Sequence, residues 1–112
     1  MDGLEEAYMH GRVARYGYTG DAHDIARRAE DGLLPIFQSQ PGFKAYSVVE
    51  SEGEIISFSA WDSAANADAA SSVAADCVAE NLAGELTLKE ARVGEILFST
   101  TLGVSTKAGV TI

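Results

Sequence analysis

Trp61, His10 and Arg12 are the residues whose types and surroundings could carry chemistry. Trp61 ends an extended run and is followed at once by Asp62 and Ser63. A Trp there can wall a pocket or plug the end of a sheet, and the second role is the commoner one for a large apolar body with a single N–H donor. His10 could act as a general base near neutral pH. It lies among Tyr8, Arg12 and Tyr16 with no carboxylate at motif spacing, and a lone His of that kind is more often a hydrogen-bonded structural or surface group. Arg12, together with Arg15, Tyr16, Tyr18 and Tyr46, could anchor an acidic or phenolic ligand, the guanidinium through its planar fork. The same side chains could instead form ion pairs across an interface. Cys77 falls on an apolar helical stripe and reads as an inert core thiol, and His23 reads as solvated. Two histidines and one cysteine, far apart, make no metal site. The glycines match neither the dinucleotide nor the P-loop pattern. No cofactor and no metal are expected.

The elements that must position these residues follow from periodicity. From Ala7 to Tyr18 aromatic and β-branched residues alternate with Arg and Gly, the pattern of a strand. Asp21 is a good N-cap, and Ile25, Ala29, Leu33 and Phe37 recur behind it at helical spacing, predicting a helix over 22–38. Pro35 removes a donor, so a kink or restart is expected near Leu33. Phe43 to Glu50 and Glu54 to Trp61 read as two strands joined through Ser51-Glu52-Gly53 as a hairpin. In the second of them Ile55, Ser57, Ser59 and Trp61 share one face, and Ile56, Phe58 and Ala60 the other. Asp62 or Ser63 caps a second helix, with Ala70, Val73, Ala74, Cys77, Val78 and Leu82 as its buried stripe and Ser71 towards the polar side. Leu88 to Ser99 is a fourth strand. The tail over 100–112 has no periodicity, and disorder, an expression remnant or an added edge strand all remain open for it. The order β-α-β-β-α-β is the ferredoxin-like α+β motif, a four-stranded antiparallel sheet with two helices on one face. Val13, Ile55 and Val48 are expected on the uncovered face, and a second copy of the chain is its simplest cover.

At 112 residues the chain is expected to be one domain, with its core over about 7–99 and residues 1–6 loose. Seventeen acidic against eight basic residues give a net charge of -9, which repels phosphate backbones and disfavours a nucleic-acid partner. No apolar run reaches the ~20 residues of a membrane span. An acidic start and a single cysteine fit a cytoplasmic protein without internal disulfides.

Four segments taken in order carry a family resemblance: Tyr8-Met-His-Gly-Arg-Val-Ala-Arg-Tyr16, Gln40-Pro-Gly-Phe43, Trp61-Asp-Ser63 and Val93-Gly-Glu-Ile-Leu97. Over about residues 7–99 the chain resembles the antibiotic biosynthesis monooxygenase-like domain of the dimeric α/β-barrel superfamily. The resemblance implies a homodimer whose sheets pack face to face into a barrel, with a pocket between each sheet and its helices. It also implies, as one option, cofactor-independent oxidation of a small aromatic compound; a non-catalytic ligand-binding or structural dimer is the other. Haem degraders of this superfamily use an Asn on the first strand, a Trp near the end of the third and a His on the second helix. Only Trp61 matches here, since the first strand lacks Asn and the stretch from Ser63 to Leu82 lacks His. The polyketide monooxygenases use a Trp with polar partners, and Trp61, Ser57 and Ser59 would share a face in a way compatible with that.

Overall fold

A computed structural model describes residues 8–106. The strands are β1 (His10–Tyr18), β2 (Phe43–Ser51), β3 (Glu54–Trp61) and β4 (Leu86–Glu95), and the helices are α1 (Ala22–Gln38) and α2 (Ala64–Asn81). All pairings are antiparallel and the sheet order is β2-β3-β1-β4. This is the expected β-α-β-β-α-β unit. The expectations for residues 1–6 and for the tail from 107 onward lie outside the described residues.

Pairing explains where the boundaries differ from the sequence pattern. His10 faces Glu95 and Tyr18 faces Leu86 across β1 and β4, so the two strands limit one another. β1 therefore starts at His10 and not Ala7, and β4 runs from Leu86 to Glu95, earlier than the expected Leu88 to Ser99. Beyond it Ile96 donates its N–H to the Met9 carbonyl at 2.9 Å, and the chain folds into a tight turn closed by a Ser99–Val104 bridge. The β2–β3 turn has two central residues, Glu52 and Gly53, both with positive φ of 52° and 80°. That is the primed geometry whose twist matches a hairpin, and it absorbs Ser51 into β2.

Both helices start as the sequence indicates. The Asp21 carboxylate accepts from the His23 N–H at 3.2 Å, and Ser63 Oγ accepts from the Asn66 N–H at 3.2 Å. Between Asp62 and Ser63 it is therefore the serine that caps α2. α1 runs without a break through Pro35. Leu33 and Phe37, on either side of that proline, are both buried, so packing holds the helix across the missing hydrogen bond.

The two faces of the sheet divide sharply. On the helix side lie Arg12, Ala14 and Tyr16 of β1 with Ile55, Ser57, Ser59 and Trp61 of β3, paired Arg12–Ser59, Ala14–Ser57 and Tyr16–Ile55. Val48 pairs with Ser57 and so also faces the helices. Of the three residues expected on the uncovered face, only Val13 is there. Ile55 and Val48 belong to the helix side, because each sits opposite a helix-facing partner and the register of a strand fixes the face of every residue on it. One part of the core gathers Leu33, Phe37, Trp61 and the small α2 residues Ala67, Ala70, Ala74 and Cys77. The other gathers Ala14, Tyr16, Ile25, Ile55 and Leu82. Alanines on α2 let its backbone approach the sheet closely.

Candidate functional site

Between the helix side of the sheet and the two helices lies a cavity of about 30 Å³. Its polar lining is Arg12 and Tyr16 from β1, Tyr46 from β2 and Ser57 from β3, and the rest is aliphatic apart from the Phe37 ring. Alternation on the strands brings these four together. Arg12 and Tyr16 are four residues apart on one strand, and Tyr46 pairs with Ser59 while Val48 pairs with Ser57.

Arg12 is the unusual member. It is 3% exposed, and its Nε donates to Ser71 Oγ on α2 at 2.8 Å. No carboxylate lies within ion-pair distance of it among the described residues; the ion pairs involve Arg15, Arg27, Arg28, Arg92, Lys44 and Lys89 instead. A buried guanidinium without a counter-charge carries a desolvation cost that an anion would relieve. Ser71 reads from sequence as a residue of the polar side of α2. It lies four residues after Ala67 and three before Ala74, both buried, and that helical spacing is the signal that turns it inward.

Burial pushes the Tyr46 phenol well above its ordinary value, with Tyr16 and Cys77 adding to the rise and Arg12 opposing it. Tyr46 is therefore a neutral hydroxyl that can donate a hydrogen bond at any physiological pH. The cavity thus combines one fixed cation with neutral hydroxyls in an apolar setting, an arrangement suited to holding a single negative charge.

Trp61 is fully buried but stands outside the lining of the cavity. Its Nε1 donates to Ser59 Oγ at 2.9 Å, and Phe37 and Phe43 meet its ring edge-on with centroids 5.2 and 5.4 Å away. Tyr46 meets Phe37 in the same way at 5.0 Å, so an aromatic cluster links Trp61 to the cavity wall. His10 lies apart from both. Its Nδ1 is 2.9 Å from the Tyr8 carbonyl, and it opens onto a broad solvent cleft with Asp62, Asn66 and Glu95. Of Trp61, His10 and Arg12, only Arg12 reaches the cavity.

The remaining residues singled out from sequence are dispersed. Arg15 is on the uncovered face, bonded to Glu54 at 2.9 Å. Tyr18 donates to Glu50 at 3.0 Å near the surface, and His23 is exposed. Cys77 is buried and free. No group of three or more His, Cys, Asp or Glu among the described residues is placed to hold a metal ion, and no described helix is long and apolar enough to cross a membrane.

A four-stranded antiparallel sheet with two helices over one face and a polar-lined cavity beneath them defines a ferredoxin-like α+β protein with an internal pocket. No family model and no curated protein matches the sequence. Solved structures do match. One is a provisionally assigned antibiotic biosynthesis monooxygenase from Chloroflexus aurantiacus, at 20% identity and a TM-score of 0.62, over 85% of this chain and 99% of that one. A protein of unknown function from Nitrosomonas europaea matches at 18% identity and a TM-score of 0.66, over 84% of this chain and 94% of the other. A variant of SnoaB, a cofactor-independent oxygenase from Streptomyces nogalater, matches at 16% identity and a TM-score of 0.55, over 86% and 98% of the two chains. The fold is thus that of the antibiotic biosynthesis monooxygenase-like proteins, as the sequence resemblance implies.

Proposed function

We propose that the chain binds a small acidic aromatic compound as its anion beneath the helices, and oxidises it with molecular oxygen and no bound cofactor. The observation that carries this is the buried Arg12 side chain, without a carboxylate partner among the described residues, lining a cavity it shares with Tyr16 and Tyr46. Arg12 would hold the phenolate or enolate and Tyr46 would donate to the oxygen that carries its charge. The ring carbon of the anion takes up oxygen, first forming a C–OOH group. Loss of water from that group leaves a carbonyl, so one oxygen atom stays on the product and the other leaves as water. The aromatic cluster of Trp61, Phe37 and Phe43 acts as a wall that fixes the β3 end of the site.

A second reading, a non-catalytic dimer whose pocket is filled by its own side chains, is favoured by the volume. About 30 Å³ holds roughly one water, whereas sites for small organic molecules span ~300–1,000 Å³. Oxygen uptake with a panel of hydroquinones and naphthols separates the two. Consumption by the wild type that falls to background in Arg12→Met supports the oxygenase. A wild type that neither consumes oxygen nor gains thermal stability from any member of the panel leaves the structural reading standing.

Both readings take the working form as a homodimer joined through the uncovered sheet faces. That face carries Val13 and Val49, at 44% and 56% exposure, together with Phe58. Its charges, Arg15, Lys89 and Arg92 against Glu54 and Glu90, are already paired with one another. Three cations against two anions make the face nearly neutral in a chain of net charge -9. Two copies therefore repel least when they approach through this side. A sedimentation mass of one chain at micromolar concentration would refute the dimer.

A further inference from the structure

The small size of the inner cavity has a structural counterpart just outside it. A groove of about 250 Å³ opens to solvent between α1 and the edge strand β2, lined by Ala26, Glu30, Leu34, Tyr46 and Val48. Three of these residues, Ala26, Tyr46 and Val48, also line the inner cavity. The groove and the cavity are thus neighbours that share one wall. That wall is built from an alanine of α1, a β-branched residue and a single aromatic ring. β2 is an edge strand, hydrogen-bonded to the sheet on one side only, so it is the strand least restrained against local opening.

We infer that the groove and the cavity are two halves of one ligand site, that the Tyr46 ring is the movable partition between them, and that the ligand enters between α1 and β2. This rests on the reading of Arg12 as the anchor of an anion. Rotation of Tyr46 about its side-chain torsions joins the outer volume to the inner one and makes a slot deep enough for a flat ring. The two ends of that slot differ in charge. The inner end is the Arg12 guanidinium, and the outer end is Glu30, which is exposed and forms no ion pair among the described residues. The site therefore selects a ring with one acidic end, inserted first, and an uncharged far end; a ring acidic at both ends meets Glu30 as a like charge.

Two measurements test the partition, and one of them needs no ligand. Cys77 is buried one helical turn from Ala74 and next to Val78, both of which line the cavity. Its reaction with a small alkyl thiosulfonate reports how often the slot opens. Tyr46→Ala is expected to raise the labelling rate about tenfold or more, and Ala26→Trp, which fills the mouth from a half-exposed helix position, to lower it by a similar factor. Amide exchange of β1 serves as the control for global unfolding. Labelling rates that do not differ among wild type, Tyr46→Ala and Ala26→Trp, with unchanged global exchange, overturn the partition whether or not any phenol binds. The second measurement uses 4-nitrophenol, whose phenolate is coloured. Binding to the wild type with loss in Arg12→Met supports the anchor, and equal binding in both refutes the reading on which the site rests. With binding established, Ala26→Trp should slow association, and Glu30→Gln should tighten benzene-1,4-dicarboxylate, charged at both ends, several-fold while leaving 4-nitrophenol unchanged. An unaltered association rate in Ala26→Trp overturns the route, and an unaltered preference in Glu30→Gln overturns the assignment of the far end.

Discussion

Replacing Arg12 by Met should make the ligand-free protein more stable, although it deletes a hydrogen bond and a nearly fully buried side chain. The magnitude follows from opposing contributions. A buried ion carries an effective desolvation penalty of several kcal/mol unless a counter-charge offsets it, and no carboxylate among the described residues stands within ion-pair range of Arg12. Against this, the variant loses the 2.8 Å bond from Nε to Ser71 Oγ, about 1.5–3 kcal/mol for a charged donor. Ser71 is only half-buried, so water can replace the lost partner and no orphaned hydroxyl is left. Met fills most of the volume of the Arg stem and adapts to irregular space. The net expectation is a gain of about 1–2 kcal/mol, a rise in Tm of about 4–8 °C for a domain of this size. The assay is urea denaturation of extensively dialysed protein at neutral pH, followed by Trp61 fluorescence. A loss of more than about 1 kcal/mol in Arg12→Met would mean that the guanidinium is compensated in the free protein, and the case for an anion site would collapse. The expected sign is the signature of a residue kept for function at a cost in stability.

Three further outcomes can be checked with ordinary measurements. Trp61→Phe should cost about 1–2 kcal/mol, because the ring volume is mostly kept while the Nε1 bond to buried Ser59 is lost; urea midpoints read it, and since Trp61 is the sole tryptophan, its emission in the wild type should be strongly blue-shifted. Val13→Glu should leave the circular dichroism spectrum and, within about 0.5 kcal/mol, the monomer stability unchanged, yet halve the sedimentation mass. The Arg28 hydrogen bond holds the Glu85 carboxyl below its ordinary 4.5, partly opposed by desolvation. A depressed folded-state value contributes stability that is present above the ordinary value and lost as pH falls through the folded one. Glu85→Gln should therefore flatten the decline of the urea midpoint below pH 4.5, and a decline as steep as that of the wild type would discard this ion pair as a source of acid lability.

Element types were legible because each rests on a local signal. Asp21 and Ser63 announce helix starts, Glu52-Gly53 a tight hairpin, and the alanine stripe of α2 its buried face. Strand limits were less legible, since His10–Glu95 and Tyr18–Leu86 are pairings between distant segments and no local pattern encodes a partner's length. The same non-local register decided which way Ile55 and Val48 point. Both are β-branched residues that satisfy either face of a sheet, so only their opposite numbers, Tyr16 and Ser57, settle the matter.

The site itself was half-legible for a related reason. Trp61 and His10 attract notice by type, yet type says nothing about depth, and the structure sends one into an aromatic cluster and the other to an open cleft. Arg12 was visible as one of several polar groups on a strand. What set it apart, burial without a counter-charge among the described residues, appears only when α2 lays Ser71 over its Nε beside the cavity. An aliphatic residue at position 12 would satisfy the fold with less strain on its energetics, so the fold does not explain the charge. On the proposed function a partner outside the chain would, and the two hydroxyl-bearing rings that share the cavity would restrict that partner to something small, flat and negative at one end.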